Sequence, residues 1–397
     1  MAMAAVTPLH PRTAPLVRAG TWRRWAGFVV ASGYDPHPDR EYAAIRSAAA
    51  LIDISPLYKY RIAGPDAVRL LDRVVTRDVT RCRVGQALYT TWCDGAGKVI
   101  DDGMVSRLDD TTFLLTGTTP SLRWLSMNAV GLDVALEDRS AATATLALQG
   151  PLSRAVLERV AEDDVASLRY FRLMHTKLAG IPAIVSRTGY TGDLGYELWV
   201  DAERAVALWD ALMAAGTPDG ITPAGIWALD TARIEAGHIM ADVDYHSAHL
   251  ALIESRKSSP FELGLGWTVS PDKGPFNGRR ALEAEREARP RWRLVGLEVN
   301  RESVERLFAE HGLPPRMPAV PWREGRPVYR LGRQVGYATS GCWSPLLQQA
   351  IALAHVRAPY HEPGTRLTVE WTVEHRRRQA RARVVPLPFF DPERKRA

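Results

Sequence analysis

The apolar positions of the chain fall into two rhythms. Alternation with period two and short β-branched runs predict strands at 87–93, 99–105, 113–115, 143–148, 183–188 and 196–200. Helical spacing lies between them. Ala205, Leu208, Trp209 and Leu212 sit at i, i+3, i+4 and i+7, with Asp201 as a candidate N-cap. Val68, Leu71 and Val75 mark the buried face of a helix opened by Gly64-Pro65-Asp66, where proline suits the first turn. Helices are also predicted over 41–51, before a strand at 52–55, and from Thr222-Pro223 to Ala236, ending at Gly237. Asp94-Gly95 signals a hairpin between the strands at 87–93 and 99–105. Beyond the charged stretch 283–293 only short apolar strands recur, at 294–299, 335–338, 351–356 and 367–373, which suggests a small all-β domain. Together these elements predict an α+β chain.

The same pattern places candidate chemistry. In the strand at 196–200, Tyr196, Leu198 and Val200 face one side while Glu197 and Trp199 face the other. A carboxylate beside an indole suits a flat heterocycle with an edge of N–H donors, the carboxylate accepting two hydrogen bonds and the aromatic covering a ring face. Gly189, Gly192 and Gly195 precede this strand and are expected to let the backbone take positive φ and approach a ligand closely. A plain hairpin with a solvated Glu197 is the other reading. Asp101 and Asp102 are neighbours on a strand, so they point to opposite faces and cannot share one task. One can enter a pocket while the other caps a turn or meets solvent.

Length and charge narrow the classes. A chain of 397 residues can hold two or three domains. Lys and Arg exceed Asp and Glu by 51 to 45, and part of the excess sits in Arg376-Arg377-Arg378 and Arg394-Lys395-Arg396. No aromatic residues interleave these clusters, which argues against a nucleic-acid partner and for a solvated face or capture of an acidic substrate. Cys82, Cys93 and Cys342 are widely spaced and odd in number, arguing for a reducing, cytoplasmic setting and against disulfides or zinc. Residues 1–20 read as a mobile arm without a continuous apolar run, and no stretch is long enough to span a bilayer, so no membrane partner is expected.

The segment Ser186-Arg187-Thr188-Gly189-Tyr190-Thr191-Gly192-Asp193-Leu194-Gly195-Tyr196-Glu197 resembles the S-R-T-G-Y-T-G-x-x-G-[FY]-E signature of the aminomethyltransferase family, the T-protein of the glycine cleavage system and its relatives. The likeness extends from about Thr7 to Pro388. Pro260-Phe261-Glu262-Leu263-Gly264-Leu265-Gly266-Trp267, Phe276-Asn277-Gly278 and Thr339-Ser340-Gly341-Cys342-Trp343-Ser344-Pro345 match further family segments, and Trp22 to Phe28 resembles its F-A-G-W segment. The resemblance implies a three-domain fold around a central folate cavity. A mobile arm at 1–20 would precede a discontinuous folate-binding domain at 21–60 plus 145–290, an inserted α+β domain at 61–144 and a C-terminal β-barrel-like domain at 291–397. It implies tetrahydrofolate as cofactor, with Glu197 holding the pterin ring and Asp102 against the reactive nitrogens. Tyr170, Tyr190 and Tyr89 would line the cavity, and Arg187 and Trp199 would stand beside the cofactor.

Two departures from the family stand out. Leu229 replaces an arginine of the glycine-cleavage proteins, and Gly117 an asparagine. Losing a guanidinium removes a polar anchor that a hydrophobe cannot replace. The segment 238–259 is also longer than the family's short turn. It carries Tyr245 and His246 as candidate proton donors or acceptors. His246 and His249 are three apart, but no further ligand stands at a recognisable spacing, so no metal is expected. These differences point to a demethylase acting on a small N-, O- or S-methylated substrate, without a lipoylated carrier protein. A glycine-cleavage aminomethyltransferase, a non-catalytic folate-binding protein and a folate-independent enzyme remain the alternatives.

Overall fold

Three large groups of strands and a small N-terminal ribbon of Ala5–Val6, Phe28–Ala31 and Trp22–Trp25 supply the scaffold in a computed structural model that describes residues 5–18 and 20–397. A six-stranded sheet runs in the order Leu173–Leu178, Ile181–Ser186, Gly195–Asp201, Thr143–Gln149, Ala50–Asp53, Thr222–Pro223. It is antiparallel except at its last pair, where Thr222–Pro223 runs parallel to Ala50–Leu51. Tyr196, Leu198 and Val200 turn into a core shared with Leu208, Trp209 and Leu212 of the helix Ala205–Gly216. That helix presents the apolar face its spacing predicts.

Between the strands Ala50–Asp53 and Thr143–Gln149 the chain builds a separate sheet. Its order is Gln86–Cys93, Val99–Arg107, Thr112–Gly117, Tyr58–Ala63, Ala135–Asp138. Leu70, Leu71 and Val74 of the helix Ala67–Val74 pack against it, with Val68 only partly buried. The C-terminal strands close into a barrel of six: Trp292–Val299, Gln349–Arg357, Arg333–Ser344, Arg326–Arg330, Arg366–Val373 and Arg376–Val385.

Three local expectations change. Of the arm at 1–20, residues 1–4 and 19 lie outside the described residues, but 5–18 are packed rather than mobile. Ala5–Val6 pairs with Phe28–Val29, Leu9 is fully buried, and the Thr7 hydroxyl donates to Asp53 Oδ2 at 2.6 Å. An apolar anchor and a buried hydrogen bond together offset the entropy of ordering the segment. Pro223 does not begin a helix, because it forms an edge strand, where a missing N–H is tolerated. The helix spans Ile226–Glu235 after an extended Gly225, whose N–H donates to Glu41 Oε2 at 2.7 Å. The helix predicted over 41–51 spans Asp39–Ser47, and the following strand is Ala50–Asp53.

Candidate active site

The sheets and the barrel enclose a cavity of about 1400 Å³. The inserted sheet contributes Asp102 and Tyr89, and the six-stranded sheet contributes Glu197. The N-terminal ribbon supplies Arg23 and Trp25, the segment after the helix Ile226–Glu235 supplies 236–243, and the tail from Val385 to Arg396 forms one rim.

Parity along the strand Val99–Arg107 separates the two aspartates. Asp101 is fully buried and caps the turn after Thr112–Gly117. It accepts from the Thr118 and Thr119 N–H groups at 2.8 Å each and from the Thr118 hydroxyl at 2.7 Å. Asp102 turns to the cavity instead. Tyr89 donates its hydroxyl to Asp102 Oδ2 at 2.7 Å, and Tyr245 donates to Oδ1 at 2.5 Å. The Tyr245 hydroxyl also lies 3.2 Å from Asp101 Oδ1, so one phenol bridges both carboxylates. Burial raises the proton affinity of both aspartates, and for Asp101 the neighbouring Asp102 charge adds to it, while the tyrosine hydroxyls oppose the rise at Asp102. This pair can hold a proton at a pH where ordinary carboxylates have lost theirs.

Glu197 lines the same cavity from the six-stranded sheet, half-buried. Thr188 donates its hydroxyl to Glu197 Oε2 at 3.0 Å, the one protein hydrogen bond to this carboxylate among the described residues. The remaining acceptor capacity is open to the cavity. Burial raises the Glu197 pKa, partly offset by Thr188. The glycines nearby serve a different purpose from the expected one. A Cβ on Gly189 would meet the Gln149 amide at 2.2 Å, and one on Gly195 would meet it at 2.4 Å. Only Gly192 has positive φ, +71°, and its missing side chain makes room for Ala236. Gln149, fully buried, donates to the Thr188 and Tyr196 carbonyls and accepts from the Thr191 hydroxyl at 2.8 Å. The loop therefore closes around a buried amide, and Glu197 gains its placement indirectly.

The other predicted residues divide. Tyr89, Tyr170 and Tyr190 all line the cavity. Tyr190 gives its hydroxyl to the Ile239 carbonyl and rests its ring edge-on against His238, with centroids 5.5 Å apart, so it is a wall rather than a free acid. Burial, helped by Lys395, pushes His238 down to about 3, which leaves it neutral. Tyr245 stands behind Asp102. His246, next in sequence, points elsewhere, and its backbone bridges to Lys257. Trp199 lies between Thr145 and Ile184 in the sheet, away from the cavity lining, with its indole N–H unpartnered. Although Trp199 shares a face with Glu197, two residues of strand carry it about 7 Å along, beyond the cavity edge. Arg187 also turns away, donating to the carbonyls of Leu168, at 3.0 Å, and Ala397. Sequence reasoning missed Trp267, which stacks on Tyr89 at 5.8 Å, and the Thr188 hydroxyl on Glu197. Both sit in the quoted family segments. Among the described residues, no group of three or more His, Cys, Asp and Glu side chains gathers around a metal position, and no helix is long and apolar enough to cross a membrane.

The two departures take on physical meaning here. Leu229, buried, forms part of an apolar wall. At Gly117 a Cβ would approach Asp101 Oδ2 to 2.5 Å and the Trp92 ring to 2.9 Å, so glycine keeps the Asp101 cap intact.

Residues 9–273 match the GCVT N-terminal domain family, and residues 311–391 match the glycine cleavage T-protein C-terminal barrel domain. A protein named aminomethyltransferase in Moorella thermoacetica is 37% identical over 360 residues, covering 88% of each chain. Its namesake in Geobacillus thermodenitrificans is 36% identical over 356 residues, covering 88% of this chain and 89% of the relative. The crystal structure of glycine cleavage system aminomethyltransferase T from Bartonella henselae shares the fold, with a TM-score of 0.83 at 23% identity over 98% of this chain and 99% of that one. These relatives give no support to the expectation of a reaction without a lipoylated carrier. The domain matches and the extent of identity mean that this chain belongs to the aminomethyltransferase family of one-carbon transferases, whose acceptor is tetrahydrofolate.

Proposed function

We propose that the chain is an aminomethyltransferase of the glycine-cleavage kind, with its one-carbon step taking place between Asp102 and Glu197. The observation that carries this reading is the buried Asp102, held by two tyrosine hydroxyls and sharing one cavity with a half-satisfied Glu197. The residues fit a reduced pterin. Glu197 keeps acceptor capacity for a donor edge, and the rings of Tyr170 and Tyr190 line the wall. At about 1400 Å³ the cavity exceeds the roughly 300–1,000 Å³ of ordinary small-molecule sites, which leaves room for a second reactant. When bound, tetrahydrofolate supplies the nitrogens that accept the one-carbon unit. Glu197 orients the cofactor by accepting hydrogen bonds, a task for its ionised form. Asp102 stabilises positive charge developing at the reacting nitrogen, or takes up its proton, while Tyr89 and Tyr245 hold the carboxylate in place. The names of the relatives favour an aminomethyl group as donor, which makes a lipoylated carrier protein the natural partner.

The second reading is demethylation of a small methylated compound. It is favoured by Leu229, which offers the donor an apolar wall. Incubation with tetrahydrofolate separates the two. An aminomethyl-loaded lipoylated carrier should yield ammonia and methylene-tetrahydrofolate under the first reading. Turnover only with methylated small molecules, giving methyl-tetrahydrofolate, would replace it by the second. In both cases Glu197→Ala should lower calorimetric affinity for tetrahydrofolate by about one to two decades, the loss of a charged hydrogen-bond partner.

A further inference from the structure

Residues 386–397 leave the barrel after the strand Arg376–Val385 and cross to the six-stranded sheet, and none of them is buried. What they dock on is buried. Arg394, its side chain 41% exposed, donates to the two oxygens of the buried Asp193 at 2.7 Å and 2.8 Å. The Phe390 N–H donates to the Glu235 carbonyl at 2.9 Å, and the Arg46 guanidinium lies 4.7 Å from the Phe390 ring centroid. Arg187 holds the carbonyls of Lys395, at 3.4 Å, and Ala397. A segment with no buried residue, tied down by polar bonds, opens at a lower free energy than the strands around it. Its buried partners are not left bare when it lifts. Asp193 keeps Arg46 at 3.2 Å and the Leu194 N–H at 2.9 Å, and Arg187 keeps the Leu168 carbonyl at 3.0 Å. Open and docked arrangements therefore both satisfy the charges beneath.

The segment meets the site in two ways. Leu387, Pro388, Asp391, Lys395 and Arg396 line the cavity, so lifting them opens it. Arg394 does not line it, but its partner Asp193 belongs to the glycine loop. From there the bonds run on: Arg46 takes the Thr191 carbonyl at 3.0 Å, the Thr191 hydroxyl donates to Gln149, Gln149 donates to the Thr188 carbonyl, and the Thr188 hydroxyl donates to Glu197.

We propose that residues 386–397 are a strap over the cavity, which opens to pass the molecule that Glu197 holds and, once docked, fixes the glycine loop through Arg394 and Asp193. Arg394 and Asp193 are then positioning residues. This rests on the reading of Glu197 as the anchor of tetrahydrofolate. Hydrogen exchange and stopped-flow binding on the full chain test it. In the free chain the Phe390 amide should exchange at least about a hundredfold faster than the amides of the strand Arg376–Val385, and saturating tetrahydrofolate should slow it at least about tenfold. Arg394→Gln should raise the rate of tetrahydrofolate dissociation about tenfold, leave association equal or faster, and hasten exchange at the Leu194 amide. Arg394→Lys, which keeps the charge, should recover part of the loss. A bond of merely structural worth would lower the melting temperature and leave the dissociation rate where it was. Unchanged dissociation in Arg394→Gln overturns the proposal, as does Phe390 exchange that ignores tetrahydrofolate; the second measurement needs no variant to fold. If the unaltered chain binds no tetrahydrofolate, the cofactor reading fails by itself. The strap is then judged without ligand: faster Leu194 exchange in Arg394→Gln upholds its hold on the loop, and unchanged exchange overturns it.

Discussion

Tyr245 gives one hydroxyl to two buried carboxylates, so Tyr245→Phe is the smallest change that alters how they share a proton. Losing a hydrogen bond to a charged, buried group costs roughly 1.5–3 kcal/mol, which predicts about a ten- to hundredfold loss in kcat with tetrahydrofolate affinity nearly unchanged. Stopped-flow turnover beside calorimetry would check both. Asp101 and Asp102 bind protons more tightly in the folded chain than in the unfolded one. Their contribution to stability is therefore complete below the unfolded carboxylate pKa of about 4, and it is lost as pH rises through the raised folded values. Asp102→Asn should flatten this loss, so that the melting temperature of the variant gains on the unaltered protein between pH 5 and pH 8 while activity collapses. At Glu197 the same raised affinity means that tetrahydrofolate binding should weaken, as pH falls, earlier than an ordinary glutamate would dictate. The opposed roles of Asp101 and Asp102 were legible in the sequence, because strand parity forces them. Trp199, Arg187 and His246 were not, since parity gives a face and says nothing about where a cavity ends along it.

At the scale of elements, the glycine loop illustrates what a motif read without its packing partner leaves out. Its spacing announces close backbone approach, but the approaching group is Gln149, from a strand remote in sequence. Gln149→Leu should leave the Thr188 and Tyr196 carbonyls and the Thr191 hydroxyl without their partner, costing about 1–3 kcal/mol in urea unfolding. Affinity for tetrahydrofolate should fall with it, although Gln149 is absent from the cavity wall. Gly117→Asn would restore the family's residue on paper. Here it would drive a Cβ against Asp101 and Trp92 and should destabilise the chain by about 1–3 kcal/mol. Helix positions were largely readable from spacing, as at Ala205–Gly216. The edge strand Thr222–Pro223 was not, because its partner Ala50–Leu51 is remote in sequence.

For the molecule as a whole, Asp244 ties the long 238–259 segment to the barrel. It accepts from Thr339, Ser340, Arg233 and the Met240 N–H, while His355 bonds its carbonyl at 2.7 Å. Asp244→Asn would leave Arg233 with Asp230, at 3.3 Å, as its carboxylate partner beside the His238 carbonyl, and a broken buried ion pair costs about 3–5 kcal/mol. Calorimetric melting should show the melting temperature moving down. The cavity, for its part, belongs to no single unit, since one sheet supplies Asp102, another Glu197, and the barrel Leu294 and Arg323. A molecule seated there acts as a fastener. At a hundred times its dissociation constant it would add about 2.7 kcal/mol to the folded state, and that increment would be shared by strands that never meet it. Amide exchange along the strand Trp292–Val299 should then slow when tetrahydrofolate binds far across the cavity, and each departing product would briefly loosen the seam that its binding had drawn tight.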